Sequence, residues 1–150
     1  MKRTDEYYMK KAINEAKKAY DKDEIPVGTI IYSIDDDKII ARGHNKRDSQ
    51  NIVINHAEIE AIVKANKIKK NWRLPNTILY TTLEPCDMCS MIIKEAKVEK
   101  VIYGAKGKKK ETEKNFSQIQ DQQLIQECEK LVKRKFEEIR KNDNVSRETN

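Results

Sequence analysis

The chain has 150 residues, a formal net charge of +6, and 37% each of apolar and charged residues. This length suits one compact domain, residues 1–150, and three cysteines are too few for a disulfide framework. No apolar run approaches the roughly 18 residues that span a bilayer, and residues 1–11 contain no apolar signal core. We therefore expect a soluble cytoplasmic protein without a membrane partner.

The first half of the chain predicts a helix, a β-hairpin and a second helix. Residues 5–20 carry an apolar stripe at helical spacing. Residues 27–34 and 38–42 are rich in β-branched side chains and flank an Asp-rich turn, so they predict a hairpin. Residues 43–55 form an irregular polar loop, and residues 56–70 return to a helical pattern.

The second half alternates between strand and helix. Residues 77–83 and 100–103 predict strands, and residues 86–96 predict the helix between them. Residues 124–141 give the clearest helical pattern in the chain. Such an alternation predicts a sheet whose faces are covered by helices.

Two charged or polar segments have no periodicity. These are residues 106–114 and the tail 142–150, and both are interpreted as flexible surface. The wider lysine-rich segment 106–123 contains no convincing strand, and residues 116–119 are the best candidate for one. The sheet is therefore expected to have four to five strands.

One histidine and two cysteines form the pattern that indicates chemistry. His56 opens one predicted helix and is followed by Glu58, while Cys86 and Cys89 open another after Pro85. Residues three positions apart share one face of a helical turn, and proline suits a helix start. Zinc favours thiolate and imidazole ligands in tetrahedral geometry. Three protein ligands leave the fourth position to water, which is typical of catalytic rather than structural zinc.

Each half of this pattern has a simpler explanation when it stands alone. A CxxC pair is often redox-active or half of a structural zinc site, and HxE occurs by chance in a Glu-rich chain. Together, about 27 residues apart, they form the zinc-deaminase signature. We therefore predict His56, Cys86 and Cys89 as Zn²⁺ ligands. Glu58 is predicted to move protons between water, base and departing ammonia.

These motifs belong to a wider similarity that runs from about residue 5 to residue 105. The sequence resembles the cytidine-deaminase-like superfamily and, within it, the bacterial TadA-type tRNA adenosine deaminases. The matching segments are EIPVG at 24–28, ARGHN at 41–45, NHAEI at 55–59, NWRL at 71–74, LYTTLEPC at 79–86 and VIYGA at 101–105. The segment after residue 105 departs from the family pattern, because it is short and lysine-rich.

The resemblance implies a three-layer α/β/α sandwich of the cytidine deaminase-like type, with a central mixed sheet, and a homodimer. It implies Zn²⁺-dependent conversion of adenosine to inosine at the wobble position of a tRNA anticodon stem-loop. Asn45 matches a family residue that hydrogen-bonds the target base, and Val27 matches one that lines the base pocket. The basic residues near the last helix are candidates for RNA contact. They are Lys130, Lys133, Arg134, Lys135, Arg140 and Lys141.

Two other functions stay open from the sequence. One is a deaminase of a free nucleobase or nucleotide, of the guanine or deoxycytidylate type. The other is a non-catalytic zinc domain that binds RNA, although such a domain has no need of Glu58. Of the remaining candidates, His44 is interpreted as a polar loop residue and Cys128 as a core residue of the last helix.

Overall fold

The computed structural model of the protein describes residues 3–109, 111 and 113–149. The helices are α1 (Asp5–Asp21), α2 (Arg47–Gln50), α3 (Ala57–Lys69), α4 (Asp87–Glu95) and α5 (Gln122–Thr149), and the strands are β1 (Gly28–Ser33), β2 (Lys38–His44), β3 (Thr77–Leu83), β4 (Lys100–Ala105) and β5 (Phe116–Gln118). Within these ranges, no helix combines the length and apolar content that crossing a membrane requires.

The strands form one mixed sheet in the order β2-β1-β3-β4-β5. β1 pairs antiparallel with both β2 and β3, whereas β3, β4 and β5 run parallel to one another. The carboxyl ends of β3 and β4 therefore lie at the same edge of the sheet. The predicted mixed sheet is confirmed, and it has five strands.

Side chains that alternate along the strands bury two separate cores, one on each face of the sheet. On one face, Ile30 and Tyr80 pack with apolar residues of α1 and α5. On the other face, Ile31 and Leu79 pack with residues of α3 and α4. The predicted three-layer α/β/α sandwich is thus confirmed. Cys128 is buried in the first of these cores, as expected.

Two glycines let a helix approach the sheet at the distance of backbone contact. A Cβ at Gly28 would lie 2.0 Å from the carbonyl oxygen of Ala12 in α1. A Cβ at Gly43 would lie 2.4 Å from the carbonyl oxygen of Ala57, the first residue of α3. Because Gly43 fixes the start of α3 against β2, it also fixes the position of His56 and Glu58.

Three local predictions need correction. The doubtful segment 116–119 does contain a strand, since β5 pairs with β4 over three residues. The loop 43–55 is partly regular, because β2 runs on to His44 and α2 forms one turn. The last helix continues from the predicted end at residue 141 to Thr149, so the predicted tail is helical up to that residue.

The lysine-rich segment is held to the body of the protein at several points. Gly107 donates its N–H to Glu84, and Lys109 donates to the hydroxyl of Ser90 at 2.7 Å. The Lys109 side chain is only 12% exposed and also pairs with Glu113. The segment 106–114, predicted to be flexible surface, therefore packs beside α4 where the structure describes it.

Candidate metal centre and adjoining pocket

The predicted metal ligands lie at the starts of two neighbouring helices. His56 is the N-cap of α3, and Cys86 is the N-cap of α4 with Cys89 three residues later. Neither cap side chain bonds to its own helix, so the imidazole and the thiol stay available for other partners. The partial positive charge at both helix N-termini favours thiolate at this position.

The three side chains converge on one point. Among the residues that the structure describes, they form a group whose donor atoms all lie within 4.8 Å of one another. The Nδ1 atom of His56 is 3.3 Å from Sγ of Cys89 and 3.8 Å from Sγ of Cys86. Tetrahedral zinc with ordinary bond lengths puts such atoms about 3.6 Å apart. One imidazole and two thiols at these separations therefore fit zinc.

The protonation tendencies of this group follow from burial. Burial lowers the pKa of His56, and the charge of Arg47 lowers it further, so both effects favour the neutral imidazole. Burial raises the pKa of the Cys89 thiol, and the neighbouring Glu58 and Cys86 add to the shift. Neutral imidazole is the form of histidine that can donate a lone pair to a metal.

Glu58 lies in the first turn of α3 and is almost completely buried. Burial raises the pKa of its carboxyl, although bonding to its own backbone and to Cys89 opposes the shift. Its neighbours at the mouth of the pocket include His56 and Cys86. A carboxyl in contact with a metal-ligand cluster and open to a pocket is suited to proton transfer.

A pocket of about 240 Å³ lies against the donor cluster. It is smaller than the roughly 300–1,000 Å³ of sites for drug-sized ligands, which suits a group of the size of one base. The residues that line it are Ile25, Val27, Asn45, Arg47, His56, Ala57, Glu58, Leu83, Glu84, Cys86 and Phe136. All predicted site residues except the buried Cys89 therefore line this pocket.

Asn45 makes hydrogen bonds to three other residues of the pocket wall. Its side-chain Nδ2 donates to the carbonyl of Ile25 at 3.2 Å, and its Oδ1 accepts from the N–H of Arg47 at 3.1 Å. Its own N–H bonds to the carbonyl of Val27. An asparagine amide has a second hydrogen and a second lone pair, so it can still bind a ligand.

A buried carboxylate holds the short helix α2 at the rim of this pocket. Glu24 accepts the N–H groups of Asp48 and Ser49, the second and third residues of α2. The first residue of α2 is Arg47, whose half-exposed guanidinium lines the pocket. Glu24 therefore fixes a positive charge beside the donor cluster.

Six wall residues were not predicted as site residues from the sequence, and Arg47 and Phe136 are the two that lie outside the matching motif segments; the other four are Ile25, Ala57, Leu83 and Glu84. Arg47 stands only two positions after Asn45 in the chain, and that closeness is the signal that could have found it. Phe136 comes from α5, far along the chain from the other wall residues. Its signal in the sequence is an aromatic residue that stands among charged residues in the last predicted helix.

His44 does not join the cluster, and its predicted place in a polar loop is wrong. It is buried at the end of β2, and its Nδ1 lies 3.3 Å from the carboxylate of Glu15 in α1. Within the described part of the chain, its Nε2 has no hydrogen-bond partner. His44 therefore links the end of β2 to α1 and lies outside the donor cluster.

The fold and the donor cluster agree with a known class of zinc proteins. Residues 2–105 match the family model described as the cytidine and deoxycytidylate deaminase zinc-binding region. Because this match covers more than half of the sequence, the chain belongs to that family.

Individual relatives agree with this assignment. A tRNA-specific adenosine deaminase of Streptococcus pyogenes serotype M18 is 48% identical over 103 residues, which are 69% of this chain and 64% of the relative. The tRNA-specific adenosine deaminase of Bacillus subtilis strain 168 is 39% identical over 155 residues, with 95% of each chain covered. A solved structure from work on A-to-I editing by tRNA:A34 deaminases superposes with a TM-score of 0.75 at 29% identity, covering 84% of this chain and 99% of the other. The match thus covers less than two thirds of the Streptococcus relative and nearly all of the other two proteins.

Proposed function

We propose that the protein is a zinc-dependent hydrolytic deaminase that converts adenosine to inosine at the wobble position of a tRNA anticodon. The observation that carries this proposal is the convergence of His56, Cys86 and Cys89 beside a buried Glu58 at a base-sized pocket. The relatives named as tRNA-specific adenosine deaminases support the choice of substrate.

In this proposal His56, Cys86 and Cys89 hold Zn²⁺. When bound, zinc acts as a Lewis acid that makes water a nucleophile near neutral pH. The overall reaction consumes adenosine and water and yields inosine and ammonia: a C–O bond forms at C6 of the purine, and the bond from C6 to the amino nitrogen breaks. Each stage of this exchange needs a proton to be moved.

Glu58 moves those protons. Its carboxylate accepts a proton from the attacking water and passes it to N1 of the purine ring. It then takes the remaining proton from the new hydroxyl at C6 and delivers it to the amino nitrogen, so that the leaving group departs as neutral ammonia and a carbonyl remains at C6. The burial of Glu58 keeps bulk water away from this exchange and strengthens its interactions with the reacting atoms.

The pocket walls hold the base for this reaction. Val27 and Leu83 supply apolar contact, and Phe136 supplies an aromatic face on which a base can stack. The Asn45 amide has a free donor and a free acceptor position for the polar edge of the base. These groups orient the purine so that C6 faces the donor cluster.

The chain's positive charge supports an RNA substrate. Lys130, Lys133, Arg134, Arg140 and Lys141 of α5 are exposed and can contact phosphates. Lys135, which sequence analysis included in this group, is buried and cannot contact RNA. An anticodon loop suits the pocket because an unpaired base can be turned outward at small cost.

We also propose that the protein works as a cytoplasmic homodimer. Three unpaired cysteines suit a reducing compartment. The consecutive side chains of Ile52, Val53 and Ile54 are exposed just before His56, and clustered apolar surface of this kind is typical of contact sites. Sedimentation equilibrium at micromolar concentration should give twice the chain mass, and a purely monomeric species would contradict the dimer.

The substrate is tested by incubating the purified protein with an anticodon stem-loop that carries adenosine at the wobble position. Parallel reactions contain free guanine, cytidine and deoxycytidylate. We expect inosine in the stem-loop and no turnover of the free compounds. Turnover of a free compound alone would replace the tRNA substrate by a base or nucleotide.

A matched variant separates an enzyme from an RNA-binding scaffold. Glu58→Ala should keep zinc and stem-loop affinity but form no inosine. If wild type and variant bind the stem-loop equally and neither forms inosine, the protein is a scaffold rather than a deaminase.

A further inference from the structure

One lysine of α5 occupies a position where an apolar residue is expected. Leu124, Cys128 and Leu131 lie along the face of α5 that packs on the sheet and α1, and Lys135 is the next residue on that face. Its side chain is 3% exposed. Lysine is almost never fully buried unless it is paired, so the residue needs a specific explanation.

The Lys135 side chain is covered, but its ammonium meets two carboxylates that lie at the surface: Asp23 is 97% exposed and Glu138 is half-exposed. The Nζ of Lys135 is 3.2 Å from a carboxylate oxygen of Asp23 and 3.4 Å from one of Glu138. It also lies 4.1 Å from the ring centroid of Tyr20, whose hydroxyl donates to Glu138. Tyr20, Asp23, Lys135 and Glu138 are called the Lys135 cluster here. The cluster joins the end of α1 and the turn after it to α5.

Among the α5 side chains whose burial the structure describes, Lys135 is the last buried one. From residue 136 to residue 145 every side chain of the helix is exposed. Although burial opposes the charged form, the hydrogen bonds to Asp23 and Glu138 outweigh it and keep the pKa of Lys135 above its usual value. The ammonium therefore favours its charged form. Its ion pair with Asp23 and its contact with the Tyr20 ring join α5 to the end of α1, and the pair with Glu138 lies within α5 itself.

Residues that follow Lys135 and Asp23 in the chain line the pocket. Phe136 follows Lys135 in the chain, and Ile25 and Val27 follow shortly after Asp23. The distance between these wall residues depends on how α5 sits on the turn at Asp23. We propose that Lys135 is a positioning residue that holds Phe136 against Ile25 and Val27, so that Phe136 can stack on the substrate base.

This inference rests on the proposed deaminase function, and its test is a double-mutant cycle. Base stacking on an aromatic side chain is worth about 1–3 kcal/mol, so Phe136→Ala should raise the KM for the stem-loop about 10-fold. Lys135→Met keeps an apolar stem of similar length and removes the charge. Lys135→Met should raise KM about 3- to 10-fold and leave kcat unchanged, because stacking on the base stabilises the ground state and the transition state alike. Its zinc content and Tm should stay close to those of wild type.

The double variant shows whether Lys135 acts through Phe136. In the Phe136→Ala background, Lys135→Met should change KM by less than about 2-fold, because the residue it positions is already gone. Additive effects, or an unchanged KM in Lys135→Met alone, would overturn the proposal. Glu129→Met, which removes a charge at an exposed position of the same helix outside the basic set, is the matched control and should leave KM unchanged.

A measurement without substrate separates this inference from the function. In Lys135→Met, amide hydrogen exchange over residues 134–141 should be at least about 5-fold faster than in wild type. Unchanged exchange there would contradict the positioning role. If exchange accelerates but no variant forms inosine, the positioning role stands and the proposed function fails.

Discussion

Residues 28–96, which carry the donor cluster, and residues 106–149 are held to the protein in different ways. In the first region, helices contact strands backbone to backbone, as at Gly28 and Gly43. In the second, polar and charged groups make several of the contacts, as at Gly107, Lys109 and Lys135. Where main-chain atoms of a helix and a strand touch, any added side-chain atom forces the helix to move. An ion pair at the surface can be removed by substitution with less change to the core. The proposed chemistry therefore depends on the region with backbone contacts, and the proposed contacts with substrate depend partly on the region held by polar groups.

The largest expected effect is that of Gly43→Ala. The new Cβ would lie 2.4 Å from the carbonyl oxygen of Ala57, so α3 has to move, and His56 and Glu58 with it. We expect destabilisation by about 2 kcal/mol or more and loss of stoichiometric zinc. Urea unfolding and atomic absorption measure the two effects.

Gly107→Ala is the matched control from the second region. A Cβ there would meet its nearest atom, the carbonyl oxygen of Glu84, at 3.4 Å, which is ordinary contact. It should keep wild-type zinc and lose less than about 1 kcal/mol. If both glycine variants lose zinc equally, the contrast between the regions is wrong.

The next effect in size is that of Glu58→Gln, which preserves the shape of the side chain. Because the amide cannot accept and return a proton, turnover on the stem-loop should fall about 10²- to 10⁴-fold. Zinc content should stay at one per chain, since Glu58 is not a predicted ligand. Wild-type rates would refute the proton-transfer role.

Lys109→Met should have a smaller effect, confined to the second region. The mostly buried ammonium of Lys109 donates a hydrogen bond to the Ser90 hydroxyl. Without it, Ser90 still donates to the carbonyl of Pro85, and Glu113 still has its ion pair with Lys94. Asp87 loses its ion pair with Lys109, but its side chain is 92% exposed and water can solvate it, so we expect a loss of about 1 kcal/mol and unchanged zinc. Thermal unfolding of zinc-loaded protein checks this. Loss of zinc would mean that segment 106–114 supports the metal centre directly.

The smallest effect concerns pH and His44. Burial lowers its pKa, the carboxylates of Glu15 and Glu60 raise it, and Lys46 lowers it, with a net lowering. The unfolded chain, with a histidine pKa of about 6.5, binds the proton more readily. His44 thus contributes stability above pH 6.5 that is lost as pH falls.

His44→Gln removes this titrating group. The free energy of unfolding of wild type should fall more steeply between pH 7 and pH 5.5 than that of the variant. Urea unfolding at both pH values measures the slopes. Equal slopes would show that His44 keeps its ordinary pKa in the folded protein.

The donor cluster and most helices and strands could be predicted from the sequence, because each depends on residues that lie close together in the chain. The HxE and PCxxC spacings fix the donor geometry through single helix starts, and the alternation of apolar residues gave most elements. Phe136 and Arg47 were missed because a pocket wall depends on tertiary contacts that no local pattern contains.

Other errors have a similar cause. The sequence groups Lys135 with the basic residues that are candidates for RNA contact, but its side chain is buried. Lysine is rarely buried unless it is paired, and the contacts with Asp23 and Glu138 that pair it are tertiary or depend on the fold. The strand β5 has three residues, too few for a periodic pattern. The end of α5 was set too early because its last residues are polar, yet they continue the helix.

The central claim is that one imidazole and two thiolates hold a single zinc and leave it accessible. X-ray absorption at the zinc edge of the purified protein tests this most directly. The account predicts one zinc per chain with two sulfur ligands, one imidazole nitrogen and one further light-atom ligand. Absence of zinc, or a shell of four protein ligands, would contradict it.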